Sequence, residues 1–318
     1  MLLVFAIAAT VLLFAVRPAA AADAKAGLVK VCDGLSFPEG PAYDGRGNLF
    51  FSNCNDETIS KVNADGTVER KWMSASEQDQ PFTWKKSNGL TFHGDGTMFV
   101  CDHGRNAIIR MHPGKRCEVY ADSCGGVPFK GPNDLAFDPK GNLYFTDPVG
   151  SNKKNPVGCV YRVEQGTRKV TRVADGMAFP NGLAFTANAK YLYVCESGEN
   201  RILRFAVKLD GTLGPKEPFA DLSPDGPGDP DGMAVDSKGN LWVTHFGAHS
   251  VLVFDTKGRI TTIIRLPHEN NWGPTNIEFG GKDMRDVYIT DPGTQALYRM
   301  RSEVPGLKLF CSPRNTGR

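Results

Sequence analysis

The 318-residue chain has no marked charge of either sign: 37 lysines and arginines face 35 aspartates and glutamates, a net charge of +2. A polyanion finds no basic field to follow, so nucleic acid is excluded as an expected partner. No Cys-x-x-Cys occurs among the eight cysteines, which removes the usual thiolate zinc sites. No Asn-x-Ser/Thr sequon occurs either. Apart from one segment at the N-terminus there is no long hydrophobic run, and no amphipathic helix of useful length interrupts the chain.

The one apolar run is LLVFAIAATVLLFAV at 2–16, followed by Arg17 and then Ala20-Ala21-Ala22. It is short for a bilayer span and ends in the small residues of a signal-peptidase site. Residues 1–22 therefore read as a secretory signal cleaved before Asp23, leaving 23–318 as a single exported domain, periplasmic or secreted. No Lys or Arg precedes the run, so an uncleaved anchor is the competing reading. All eight cysteines lie beyond residue 22, and an even count in an exported chain predicts disulfides.

What the chain does have is a repeat. FPEGPAYDGRGNLFFSN (37–53), KSNGLTFHGDGTMFVCD (86–102) and GPNDLAFDPKGNLYFTD (131–147) align. So do FPNGLAFTANAKYLYVCE (179–196), DPDGMAVDSKGNLWVTH (229–245) and GPTNIEFGGKDMRDVYITD (273–291). The third residues of the six copies are spaced by 49, 45, 48, 50 and 44. A period of roughly 40–50 residues carrying several short strands is the mark of a β-propeller. Within a copy, GLAF and LYFTD read as strands and DPKGN as the hairpin between them. A third strand (CVYRVE, RILRFAV) follows, and in most copies a fourth (VTRVADG, ITTIIRL). The prediction is an all-β, six-bladed propeller with four antiparallel strands per blade.

LVKVCDG (28–34) matches VTRVADG (170–176), so the first strand reads as a detached outer strand. It is expected to close the ring in the last blade, beside GLKLFCS (306–312), with Cys32 bonded to Cys311.

The polar ends of the repeat form two rings at one mouth of the central channel. The inner ring is Glu39, Asn88, Asn133, Asn181, Asp231 and Thr275, each preceding an innermost strand. The second is Asn53, Asp102, Asp147, Glu196, His245 and Asp291. Pro-Asn-Gly and Pro-Asp-Gly are also plain turn sequences. Turn-making alone does not account for Glu39, nor for converging carboxylates with no Lys or Arg in either ring. A bound cation resolves that repulsion. Carboxylate and amide oxygens favour Ca²⁺, with Mg²⁺, Mn²⁺ and Zn²⁺ as alternatives. Two carboxylates and two amides would leave coordination positions open, as a Lewis-acid site requires.

These motifs resemble the senescence marker protein/gluconolactonase/luciferin-regenerating family of six-bladed propeller hydrolases, from about residue 30 to 310. The resemblance implies metal ligands at Glu39, Asn133, Asn181 and Asp231. It implies a metal-dependent lactonase acting on a sugar or other small lactone. Diisopropyl fluorophosphatase and the paraoxonases are similar at the same four positions, so a phosphotriesterase is the alternative enzyme. A non-catalytic ligand-binding propeller is the other competitor. A strictosidine-synthase-like condensing enzyme would use a catalytic Glu instead of the oxygen cluster. By resemblance Asp231 doubles as ligand and general base, and Asn88 faces substrate. His103 and His245 are candidate proton acceptors or simply rim histidines. Asp134 is a candidate substrate-binding or supporting residue, and Asp102 and Asp147 are candidates for orienting the ligand amides. The insertion 74–88 with Phe82 and Trp84 reads as a lid or a surface loop. The expected partner is a small lactone or ester, with no stable membrane association after cleavage, and the protein is expected to be a monomer or weak dimer.

Overall fold

The computed structural model describes residues 22–23, 27–74 and 84–308. Six four-stranded antiparallel units stand in a ring, each running from an innermost to an outermost strand. The innermost strands are Pro38–Tyr43, Ser87–Phe92, Leu135–Phe137, Pro180–Phe185, Asp229–Val235 and Asn276–Gly280, in blades 1 to 6. This is the six-bladed propeller that the repeat predicts.

Val29–Cys32 pairs antiparallel with Ala296–Arg301 and supplies the outermost strand of blade 6, so the N-terminal strand closes the ring. Its expected neighbour at 306–312 is corrected. Gly306 bridges to Asp236 and the Leu307 N–H donates to the Val235 carbonyl, which places these two residues against the innermost strand of blade 5; 309–312 lie outside the described residues. Cys311 lies outside the described residues, as do residues 1–21 of the segment expected to be a signal sequence. Among the described residues no two cysteines are bonded.

The hairpin reading of DPKGN is literal. The Asp138 carboxylate accepts from the Lys140 and Asn142 N–H groups and from Asn142 Nδ2 at 2.7 Å, and Gly141 takes the positive φ. Strand alternation places one face of every blade against the next, and the core is therefore divided. Six apolar clusters each fill one of the six blade interfaces. The interfaces repeat an aromatic contact: Phe50 meets Phe92, Phe99 meets Phe137, Tyr144 meets Phe185 and Trp242 meets Phe279, at 5.0–5.4 Å between ring centres. Such pairs contribute about 0.5–1.5 kcal/mol each beyond area burial. Trp84 belongs to the cluster between blades 1 and 2, so this part of the insertion is core; residues 75–83 lie outside the described set.

Candidate functional site

In four blades the inner-ring residue sits on a β-bulge. The ladder breaks between Glu39 and Ala42, Ser87 and Leu90, Pro180 and Leu183, and Pro230 and Met233. A bulge re-aims side chains, here toward the axis. The glycine that follows is required by crowding: a Cβ on Gly40 would lie 2.3 Å from the Asn88 carbonyl oxygen, and one on Gly182 2.4 Å from that of Asp231. Neighbouring innermost strands thus touch backbone to backbone, and hydrogen bonds such as Gly89 N–H to the Asn133 carbonyl (2.9 Å) tie the ring.

Buried hydroxyls reinforce it from the second strands. Ser52 donates to the Asn88 carbonyl, Thr146 to that of Asn181 and Thr244 to that of Thr275, at 2.7–2.8 Å. In blades 2 and 4 the same place holds Cys101 and Cys195, both fully buried, which gives these thiols a packing role in place of the expected disulfides.

A cavity of about 480 Å³ opens above the ring. Its floor holds Glu39, Asn88, Asn133, Asn181 and Asp231, and His103 stands in its wall. The structure thus gathers the four residues named as metal ligands, together with Asn88 and His103. Among the described residues Asn133 Oδ1, Asp231 Oδ1, Asn88 Oδ1 and His103 Nδ1 are buried with no hydrogen-bond partner. Asn53 Oδ1 and Asp147 Oδ1 are likewise unpartnered, but neither residue lines the cavity. Glu39 accepts from the Gly40 N–H at 2.9 Å, and Asn181 hydrogen-bonds Asp231.

Two expected site residues lie elsewhere. Asp134 follows Asn133 where four other blades carry glycine, and it occupies the axis beneath the ring. Asn276, the equivalent in blade 6, donates from Nδ2 to Asp134 and to Glu39, each at 3.4 Å. Asp134 faces a narrower cavity of about 80 Å³ at the opposite end of the channel. It supports the floor and does not line the mouth. His245 is fully buried and absent from the cavity wall. Its Nδ1 meets Asp225 and its Nε2 meets Asn200 Oδ1, both at 2.9 Å, while Asp225 also binds Arg265 and Ser250. His245 takes the place the acids take in other blades, and both its nitrogens are used.

Those acids hold the loops that lead into the innermost strands. Asp102 accepts from the Lys85 N–H, Asp147 from Lys130 and Glu196 from Ala178, at 2.8–3.2 Å. The donor is three residues before the ring residue each time. Asp102 and Asp147 thus fix backbone and not the ligand amides.

Burial pushes the Glu39 and Asp231 carboxyls up; Glu39 raises Asp231 further, and Asp134 beneath them adds to both. Burial also raises Asp134, to about 6. Burial lowers His103, whose ring is held by the Pro132 carbonyl, so the imidazole is neutral with a bare nitrogen. Among the described residues no trio of His, Cys, Asp or Glu converges as metal ligands. The oxygens of Glu39, Asn133, Asn181 and Asp231 do fit a hard divalent cation. All four are oxygen donors, two are buried without partners, and among the described residues no lysine or arginine lines the cavity to offset the carboxylates.

Comparison with known proteins agrees with this architecture. Residues 37–292 match the family model described as SMP-30/Gluconolactonase/LRE-like region. The lactonase drp35 of Staphylococcus aureus is 31% identical over 239 residues, 72% of this chain and 69% of that protein. A solved gluconolactonase from Xanthomonas campestris superposes with a TM-score of 0.72 at 27% identity, covering 87% of this chain and 89% of that one. Regucalcin from Agrobacterium tumefaciens, described as a calcium-binding protein, shares the fold: TM-score 0.70, 19% identity, 89% and 95% coverage. With a family match across most of its length and a lactonase relative at this identity, the chain belongs to the SMP-30/gluconolactonase/LRE-like family.

Proposed function

We propose that the protein is a divalent-metal-dependent lactone hydrolase, with its active site on the ring floor. The observation that carries this reading is the pair of buried, unpartnered oxygens, Asn133 Oδ1 and Asp231 Oδ1, at the base of an open cavity in a chain with lactonase relatives. Glu39, Asn133, Asn181 and Asp231 would hold the ion, Ca²⁺ being best matched to the oxygen donors. When bound, it would supply Lewis-acid polarisation of the lactone carbonyl and charge stabilisation for the developing oxyanion.

The chain's own groups do the rest. Asn88, whose Oδ1 is uncommitted, orients the substrate beside the floor. His103, neutral and with a bare Nδ1, accepts the proton of an attacking water. Asp231 is the alternative acceptor, held in place by Asn181. His245 takes no part in proton transfer, because both nitrogens are engaged away from the cavity. Asp134 and Asn276 close the channel below and keep Glu39 in place.

Hydrolysis of aldonolactones and simple γ- and δ-lactones, followed by acid release, tests this. Activity lost on chelation and restored by one of Ca²⁺, Mg²⁺, Mn²⁺ or Zn²⁺ is expected. Activity indifferent to chelation removes the metal from the reading, and no turnover of any lactone removes the function. A phosphotriester panel run beside it separates the second enzyme reading by kcat/KM.

We also propose that the protein is exported, on the apolar run at 2–16 and its small-residue end. Cleavage would fall between Ala22 and Asp23, which pair with Thr262 and Ile263 of blade 5. N-terminal sequencing of the periplasmic or secreted protein should begin at Asp23.

A further inference from the structure

The wall of the cavity differs in chemistry from its floor. Phe37, Phe179 and Phe246 line it from blades 1, 4 and 5. Phe37 and Phe179 stand two residues before Glu39 and Asn181, at equivalent places of the repeat. Both have left-handed backbone, φ +54° and +56°. The fold asks for this conformation: the Phe37 carbonyl accepts from the Cys54 N–H and the Phe179 carbonyl from Ser197. It does not ask for phenylalanine. Glycine or asparagine takes a positive φ at far lower cost, and blade 2 holds the same conformation with Lys86, φ +69°. Bulky aromatics kept in strained backbone at a cavity wall point to a role for the side chain. The exposed Trp272 extends the surface outward, edge-on to Phe37 at 5.5 Å.

The polar residues of the same wall have little left to offer a ligand. Ser151 Oγ donates to the Met177 carbonyl at 2.6 Å and accepts from the Phe179 N–H. Ser197 Oγ donates to the Pro230 carbonyl at 2.6 Å. Asn152 Oδ1 accepts from the Lys154 and Asn155 N–H groups. Uncommitted buried polar atoms are therefore concentrated at the floor and on His103, with Asp229 and the Asn152 amide nitrogen exposed at the rim.

Resting on the lactonase reading, we infer that Phe37, Phe179 and Phe246 are specificity determinants for an uncharged lactone bearing an apolar ring or chain. The lactone head meets the polar floor, and the apolar body lies against the phenylalanines. A polyhydroxylated lactone in the same pose would lose water from hydroxyls that find no partner on the wall.

The test compares phenyl- and hexyl-substituted δ-lactones with glucono-δ-lactone on wild type and on Phe179→Asn and Phe37→Asn. Asparagine tolerates the left-handed backbone, so both variants should fold with melting temperatures no lower than wild type. The expected result is that wild type prefers the substituted lactones by roughly tenfold or more in kcat/KM, and that this ratio falls by a similar factor in each variant. Preference for gluconolactone, or a ratio unmoved by both substitutions, overturns the inference. Titration calorimetry with the corresponding lactams keeps the two readings apart. If no lactone is turned over, the hydrolase reading falls. The wall assignment then stands only if the phenyl lactam binds wild type more tightly than a polyhydroxylated lactam and Phe179→Asn abolishes the difference.

Discussion

Asp231 and Glu196 are both buried acids at the same mouth of the same channel, one in each ring. Glu196 is saturated: the Ala178 N–H donates to one oxygen at 2.8 Å and Arg201 to the other at 2.7 Å. Asp231 has a neighbouring amide on one side and a bare oxygen on the other, with further carboxylates raising its pKa. The two rings arise from one repeat, yet the outer one holds loops and the inner one is left open toward a cavity. Polar residues at strand ends signal chemistry only where their hydrogen-bonding capacity is unspent and faces solvent space.

The sharpest way to break this comparison is to neutralise one acid of the inner ring. Asp231→Asn or Glu39→Gln should reduce lactone turnover by at least about 10³-fold. The melting temperature should not fall, because each change removes a buried carboxylate opposed by its neighbours. Either variant at full rate would sink the catalytic assignment, even with a metal bound.

The reverse holds for the structural network around His245. Asp225→Ala removes the shared acceptor of His245, Arg265 and Ser250 and should cost about 3–5 kcal/mol in urea unfolding. Turnover per folded molecule should remain. Lost turnover at unchanged stability would return His245 to the chemistry.

Acid dependence should separate the same two regions in the chelated protein. Burial raises Asp134 from 3.8 to about 6, so its protonated form favours the native state. That contribution is complete below about pH 4 and disappears as pH rises through 6, an effect of up to about 3 kcal/mol. Burial would raise Asp225 too, but His245, Ser250 and Arg265 outweigh it and hold the carboxyl below its usual range. Its contribution is present above about pH 4 and is lost on acidification through the lowered value. Unfolding free energies at pH 4 to 8 for Asp134→Asn should therefore decline less toward neutral pH than those of wild type, the remaining decline coming from Glu39 and Asp231; an unchanged profile would mean that Asp134 is not held as placed.

The smallest expected effect is at the quietest position of the outer ring. Asn53→Ala removes hydrogen bonds to Thr58 and Ser60 and should cost about 1 kcal/mol, with the rate unaltered. A large loss of rate would show that the outer ring is not merely structural.

Much of this was legible before any coordinates. A period near 47 residues with two hairpin strands in each copy leaves few folds, and the matching of 28–34 to 170–176 foretold ring closure. The composition of the inner ring pointed to oxygen donors at the mouth. The exceptions were errors of partner and direction. The GLKLFCS segment was expected beside the N-terminal strand, and at Gly306 and Leu307 it packs on blade 5 instead. His245 was expected at the mouth because it ends a second strand like Asp102 and Asp147. Yet two separate loops, one carrying Asn200 and the other Asp225, capture both its nitrogens, and nothing in the local sequence reports that. Asp134 had a readable signal, the loss of glycine at the fourth position of the copy, shared only with Asn276. The two phenylalanines had another, the repeated Phe-Pro-x-Gly.

By itself, the sequence determined the blade count, the hairpins and the ring of oxygen donors, since these follow from residue type at a fixed period and are local. Tertiary structure decided which of those oxygens remain free, which acids are spent on loop N–H groups, and that Asp134 meets Asn276 across the axis. The acids meet their loop N–H groups 17 or 18 residues away, on the neighbouring turn of the same blade, whereas Asp134 and Asn276 lie 142 residues apart and meet only when the ring closes.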